Sequence, residues 1–199
     1  MFTGIVSGIG QITEKLELNN SMKLEINCPN FGTDDIKIGD SIAISGACLT
    51  VVSKNRNGFS VDVSTETLNQ TTIGEKIEGG FVNLEKSMKL DDRFGGHLVT
   101  GHVDDKAKVI KKKDLDEYML FQLQPPLELM KYIAKKGSVC IDGVSLTVNA
   151  TYDSFFELLL IPHTLEVTTL GYLEESNSVN LEIDLIARYI EKLGIDRNQ

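Results

Sequence analysis

Along this chain, apolar residues come in short runs bounded by turn residues rather than in long helical stripes. In residues 59–63, Phe59, Val61 and Val63 alternate with Ser60 and Asp62, the period of two expected of a strand with one buried face. Residues 82–84 and 41–52 read as further strand material, the latter with Gly46 near its middle, and Asn57-Gly58 and Gly79-Gly80 mark turns. Two segments read differently. Residues 126–133 predict a short helix with Leu129, Tyr132 and Ile133 on one face. Leu185, Ile186, Tyr189, Ile190 and Leu193 also fall at helical spacing, with Asp184 placed as an N-cap and Gly194 as a stop. An apolar stripe of that kind has to be covered, either by the rest of its own chain or by the same helix in other subunits.

The strand-like segments occur twice. Phe2-Thr3-Gly4-Ile5-Val6 aligns with Val99-Thr100-Gly101-His102-Val103 at an offset of 97 residues. The same offset aligns Ile44-Ser45-Gly46-Ala47-Cys48-Leu49-Thr50-Val51 with Ile141-Asp142-Gly143-Val144-Ser145-Leu146-Thr147-Val148. It also aligns Thr71-Thr72-Ile73-Gly74 with Thr168-Thr169-Leu170-Gly171, and Val82-Asn83-Leu84-Glu85 with Val179-Asn180-Leu181-Glu182. Without a gap, residues 1–89 and 98–186 share about two dozen identities. The chain is therefore expected to hold two all-β units, 1–89 and 98–186, with residues 185–194 as a C-terminal helix outside the repeat. Units this small with many short strands suggest a closed barrel or a sandwich, and closure has the advantage of removing exposed sheet edges. The central stretch Phe94-Gly95-Gly96-His97-Leu98-Val99-Thr100-Gly101-His102-Val103-Asp104 then reads as a glycine-hinged loop entering the first strand of the second unit.

Composition narrows the class of function. A net charge of −9 argues against a nucleic-acid partner, which requires clustered Lys and Arg. The one basic run, Lys111-Lys112-Lys113, is followed at once by acids and reads as a solvated β-turn. Cys28, Cys48 and Cys140 are odd in number and lack metal-ligand spacing, as expected of a reduced, cytoplasmic protein without structural zinc. No apolar run reaches the ~18–20 residues of a membrane span, and the N-terminus has no signal-peptide pattern.

Candidate chemistry lies where the two copies differ: Ile5 against His102, Cys48 against Ser145, Ser45 against Asp142, and Glu66 against His163. Strand alternation puts Cys48 and Thr50 on one face, and Ser145 and Thr147 on the matching face of the second copy. Such a face could read the edge of a planar heterocycle; a β-branched Thr kept for strand propensity is the alternative. An imidazole at position 102 suits general acid–base work, or a structural hydrogen bond. His97 follows a glycine pair and reads equally as a loop residue. Cys48, in an apolar strand, is either a nucleophile or a small buried residue. No phosphate loop, dinucleotide fingerprint or metal cluster is present in the sequence, so no cofactor and no metal is expected.

With Met1-Phe2-Thr3-Gly4-Ile5-Val6, the segments 46–51, 95–104 and 141–148, and Ile161-Pro162-His163-Thr164-Leu165, the chain resembles the riboflavin synthase family from Met1 to about Ala187. The resemblance implies two tandem six-stranded Greek-key β-barrels plus a C-terminal α-helix that joins a homotrimer. It implies dismutation of two molecules of 6,7-dimethyl-8-ribityllumazine to riboflavin and 5-amino-6-(D-ribitylamino)uracil, and it allows association with lumazine synthase. Carried over residue by residue, the first copy contributes Gly4, Ile5, Val6, Ala47, Cys48, Leu49, Asp62, Val63, Ser64, Thr65, Glu66 and Thr67. The second contributes Gly101, His102, Val103, Ser145, Leu146, Thr147, Leu159, Leu160, Ile161, Pro162, His163 and Thr164, with Lys136 reaching in from an adjoining subunit. His102 and Thr147 are assigned proton transfer, and Cys48 and Ser41 the positioning or supply of a nucleophile. The competing expectation is a non-catalytic antenna that binds a lumazine or flavin on the same double barrel.

Overall fold

The computed structural model describes residues 1–194. Its first six strands are β1 (Gly8–Leu18), β2 (Ser21–Asn27), β3 (Ser41–Ile44), β4 (Ala47–Lys54), β5 (Gly58–Ser64) and β6 (Phe81–Lys86). They close into an antiparallel barrel in the order β1-β2-β5-β4-β3-β6. Strands β7 (Asp105–Asp114), β8 (Met119–Gln124), β9 (Ser138–Ile141), β10 (Val144–Thr151), β11 (Phe156–Leu160) and β12 (Ser178–Ile183) close a second barrel with the same neighbour relations. The jump from β2 to β5 makes each a Greek key, so the all-β double-barrel architecture is as expected. Closure leaves neither sheet with an edge.

Alternation fills each barrel. Leu24, Ile26, Leu49, Val51, Phe59, Val61 and Val63 point into the first core, and Val109, Phe121, Leu123, Val148, Phe156, Leu158 and Leu160 into the second. Strand register shifts between Ile12 and Glu14 and between Val51 and Ser53, and at the equivalent places of the second copy, Val109/Lys111 and Val148/Ala150. An extra residue at these points sharpens strand bending, which a small barrel needs in order to close. Between β5 and β6 the chain forms α1 (Thr65–Gln70) and a 3₁₀ turn, and between β11 and β12 the corresponding α2 (Pro162–Val167) and 3₁₀ turn. The repeated threonines cap those turns. Thr71 Oγ1 accepts from Ile73 N–H, and Thr168 Oγ1 from Leu170 N–H.

The barrels meet about a pseudo-twofold axis. Phe2 and Val99 exchange two backbone hydrogen bonds of 2.8 and 3.2 Å. With Ala43 and Cys140 they form a small apolar core of their own. Asn83 Nδ2 donates to the Asp142 carbonyl and Asn180 Nδ2 to the Ser45 carbonyl, while their Oδ1 atoms accept from Thr169 and Thr72 N–H. The apolar segment 41–52 proves to be a hairpin. Ser45-Gly46 is a two-residue turn with φ of 44° and 85°, and Asp142-Gly143 repeats it with 46° and 82°. Both central residues are left-handed, the form that matches strand twist. The two turns face each other so closely that a Cβ on Gly46 would sit 2.9 Å from the Gly143 nitrogen, and the reverse contact is the same.

Two sequence expectations are corrected. Lys111, Lys112 and Lys113 are not a turn but lie in β7, where Lys112 Nζ donates to the Leu173 carbonyl; the turn comes after Asp114. The short helix expected over residues 126–133 is present as a 3₁₀ helix, Leu127–Tyr132, and Leu129, Tyr132 and Ile133 pack on the second core. Residues 98–104 join no strand beyond the Phe2–Val99 bridge, and β7 starts at Asp105. The C-terminal helix α3 (Leu185–Gly194) begins at Asp184, whose Oδ1 accepts from Ile186 N–H.

Asp142 stands where the first copy has Ser45, fully inside this junction. Burial pushes its carboxyl up to about 6, opposed by the Asn180 N–H bond and by the charge of Lys76. Between its ordinary value of 3.8 and about 6 the folded state holds a proton that the unfolded state releases. The group therefore favours folding on the acid side, and that contribution is lost as pH rises through about 6. Asp142→Asn keeps the acceptor and suits the left-handed turn. It is expected to stabilise the protein by about 1–2 kcal/mol at pH 8 and by almost nothing at pH 4, as read from denaturant unfolding at the two pH values.

Candidate active site

The two opening segments cross over. Gly101 lies against the first barrel, with its carbonyl accepting from Cys48 N–H at 2.9 Å, and Gly4 lies against the second, with its carbonyl accepting from Ser145 N–H at 2.8 Å. Only glycine allows the approach. Both have φ near +80°, and a Cβ would come within 2.5 Å of Cys48 Cβ at Gly101 and 2.6 Å of Ser145 Cβ at Gly4. Each cluster therefore joins the opening segment of one copy to the barrel of the other. Gly101, His102 and Val103 belong with Cys48 of the first barrel, and Gly4, Ile5 and Val6 with Ser145 of the second.

The first cluster encloses a cavity of about 280 Å³ lined by Ala47, Cys48, Glu66, Thr67, Gln70, Thr71, Gly101, His102 and Val103. An adjoining cavity of about 560 Å³ shares Glu66, Gln70, His102 and Val103 and runs on to Asp104, Glu182, Arg188 and Tyr189 at the start of α3. Together they are of the size that holds a small organic ligand. Cys48 is half-buried, and His102 and Glu66 are exposed at the rim. Cys48 and Thr50 share the outer face of β4, while Ala47, Leu49 and Val51 point inward. Ser41 sits opposite Thr50 on β3, on that same outer face, but lines a different depression with Ile36, Lys37 and Met88. Asp62, Ser64 and Thr65 are exposed at the end of β5 and the start of α1. Val63 is wholly in the core, so only its backbone is available to a ligand.

In the second cluster, Ser145 and Thr147 occupy the outer face of β10, with Leu146 partly packed on the core. Leu159 and Ile161 are exposed, Leu160 is in the core, and Pro162, His163 and Thr164 open α2 at the place α1 has in the first barrel. His97, left open by the sequence, is here buried. Its Nδ1 is 2.7 Å from Ser145 Oγ, and its Nε2 is buried without a partner. Burial, partly offset by the charge of Asp184, lowers its pKa, which favours the neutral ring. The signal for it was the Gly95-Gly96 pair, since a Cβ at Gly96 would meet Thr3 O at 2.1 Å and Ser145 Cβ at 2.9 Å. Lys136 is exposed in a left-handed turn before β9 and joins neither cluster.

Two acids absent from the sequence-based set stand behind these loops. Glu85 and Glu182 are buried; burial raises both carboxyl pKa values, opposed by hydrogen bonds from residues 3–5 and from Thr100 and Gly101, respectively. Of the thiols, burial pushes Cys28 up to about 11 and Cys140 well above its ordinary range, which leaves both unreactive.

The Lumazine binding domain family matches residues 3–87 and again residues 100–184. The riboflavin synthase of Brucella abortus (strain 2308) is 45% identical over 199 residues, covering 98% of each chain. That of Photobacterium phosphoreum is 44% identical over 193 residues, covering 97% of this chain and 88% of the relative. That of Bacillus subtilis (strain 168) is 37% identical over 190 residues, covering 96% and 88%. Among solved structures, LumP complexed with 6,7-dimethyl-8-(1'-D-ribityl) lumazine superposes with a TM-score of 0.83 at 26% identity, covering 92% of this chain and 99% of LumP. LumP complexed with riboflavin gives 0.84 at 27% with the same coverage. A lumazine-binding domain repeated along the chain, and full-length identity with synthases from three genera, lead to one conclusion: the chain belongs to the riboflavin synthase family of double lumazine-binding barrels.

Proposed function

We infer that the chain is a transferase that catalyses the riboflavin synthase reaction, in which two molecules of 6,7-dimethyl-8-ribityllumazine exchange a four-carbon unit to give riboflavin and 5-amino-6-(D-ribitylamino)uracil. The observation that carries this reading is the 37–45% identity with riboflavin synthases over nearly the whole chain. Identity with LumP is lower, at 26–27%.

In this reading the Cys48 cavity takes one lumazine and the Ser145 cluster takes the other. The 7-methyl group of the lumazine is itself acidic, so the protein has to supply orientation and proton transfer. Holding two reactants in register contributes up to about 7–11 kcal/mol. His102 at the rim of the Cys48 cavity moves the proton, with Thr147 doing so beside the second lumazine. Cys48 and Ser41 place the nucleophile that adds to the lumazine in the first barrel. Glu66 and His163, at equivalent places on α1 and α2, bind the uracil edge or the ribityl chain.

The active site then joins the first barrel of one subunit to the second barrel of its neighbour, with Lys136 entering from an adjoining chain. The support is α3. Ile186, Tyr189, Ile190 and Leu193 are 56–67% exposed, an apolar stripe that no described residue covers. Three such helices packed together would cover it and make a homotrimer. A cytoplasmic location and association with lumazine synthase belong to the same reading; no helix among the described residues is long and apolar enough to cross a membrane.

Incubation of the purified protein with 6,7-dimethyl-8-ribityllumazine and no added cofactor is expected to yield riboflavin absorbance and fluorescence. Tight binding without turnover would instead make the protein an optical antenna. His102→Gln is expected to lower kcat by about 100-fold or more, the loss typical of a missing general acid or base; near-normal turnover would remove that role. Truncation after Asp184 is expected to give monomers in sedimentation velocity, with most activity lost, and an active monomer would end the shared-site reading.

A further inference from the structure

Glu85 and Glu182 occupy equivalent positions at the ends of β6 and β12, and they are 7% and 4% exposed. A buried carboxylate persists only when its oxygens are hydrogen-bonded, and among the described residues an opening segment supplies the bonds to each of these two. Glu182 Oε1 accepts from Thr100 N–H at 2.6 Å and from Thr100 Oγ1–H at 2.7 Å, and Oε2 accepts from Gly101 N–H at 3.0 Å. Thr100 Oγ1 in turn accepts from His102 N–H at 3.3 Å. The N–H groups of residues 100, 101 and 102 thus end on one carboxylate and on the hydroxyl it orients. On the far side, the Gly101 carbonyl accepts from Cys48 N–H. The backbone that carries His102 is gripped between β12 of one barrel and β4 of the other.

Glu85 repeats the arrangement. It accepts from Thr3 N–H at 2.7 Å, Thr3 Oγ1–H at 2.8 Å and Gly4 N–H at 3.0 Å, and Ile5 N–H reaches Thr3 Oγ1 at 3.3 Å. The difference is at the end of the lever: Ile5 has no proton to move.

We propose that Glu182 is a positioning residue for His102, which fixes the imidazole relative to the Cys48 cavity through Thr100 and Gly101, and that Glu85 is its counterpart for a purely binding segment. The proposal rests on the acid–base reading of His102. A shift of about 1 Å in a reacting group costs on the order of 100-fold in rate, so a carboxylate whose oxygens are taken up by three bonds to this loop controls turnover through the placing of His102.

The test is a kinetic cycle in the full-length protein with 6,7-dimethyl-8-ribityllumazine as substrate. Glu182→Gln and Glu85→Gln make the same change in matched surroundings, since each puts an amide N–H₂ against a backbone N–H. Glu182→Gln is expected to lower kcat by about 10-fold or more with little change in KM, and Glu85→Gln to act mainly by raising KM. In a His102→Gln background, Glu182→Gln is expected to lower kcat by less than about 2-fold further, the non-additivity of residues that act through one group. Equal kcat losses in the two Glu variants would overturn the proposal, and so would full multiplication of the Glu182 and His102 effects. Normal turnover in His102→Gln would overturn both the proposal and the reading beneath it. Should Glu182→Gln fail to fold, Thr100→Val cuts only the hydroxyl link. It is expected to lower kcat while Thr100→Ser restores it, and normal turnover in Thr100→Val would be equally fatal.

Discussion

The structure depends on the exchange of opening segments between the barrels. Each barrel starts with residues that bond to its partner: Gly4 to Ser145, Gly101 to Cys48, and Phe2 to Val99. Because these contacts are backbone hydrogen bonds inside an apolar junction, the barrels cannot slide. Any slip would strand buried N–H and C=O groups at about 1–3 kcal/mol each. Asn83 and Asn180 fix the same axis with side-chain amides, and the glycines of the facing turns set how near the barrels come. Neither candidate pocket is complete on its own barrel.

Within that symmetric frame the chemistry is unsymmetric. The backbone that presents Ile5 beside Ser145 is the backbone that presents His102 beside Cys48. One pocket combines an imidazole, a thiol and Glu66 around a cavity. The other combines Ser145 with a buried His97 whose second nitrogen is free. A frame of this kind suits one compound bound twice with different fates, since shape is shared and proton traffic is not.

Many of the repeated polar residues turn out to hold the frame. Thr71 and Thr168 cap 3₁₀ turns, Asn83 and Asn180 join the barrels, and Glu85 and Glu182 grip loops. Identity at these positions therefore marks structure, whereas the contrasts of Ile5 with His102 and of Cys48 with Ser145 fall at the candidate site. Asp142 against Ser45 is the exception, a difference that sits in the junction and concerns stability.

By itself the sequence determined the two all-β units, the C-terminal helix and the contrast of Ile5 with His102, because strand alternation, helical spacing and an ungapped repeat are all local in register. The short helices α1 and α2 were hidden, since six residues are too few to show a helical period. Lys111–Lys113 misled because a long β-hairpin can carry lysines that a solvent-exposed turn would also favour. Only the tertiary structure decided that His102 belongs with Cys48, that Ile5 belongs with Ser145, and that His97 is buried. Those pairings are set by which barrel each opening segment bonds to, a choice between backbone partners that side-chain identity does not record.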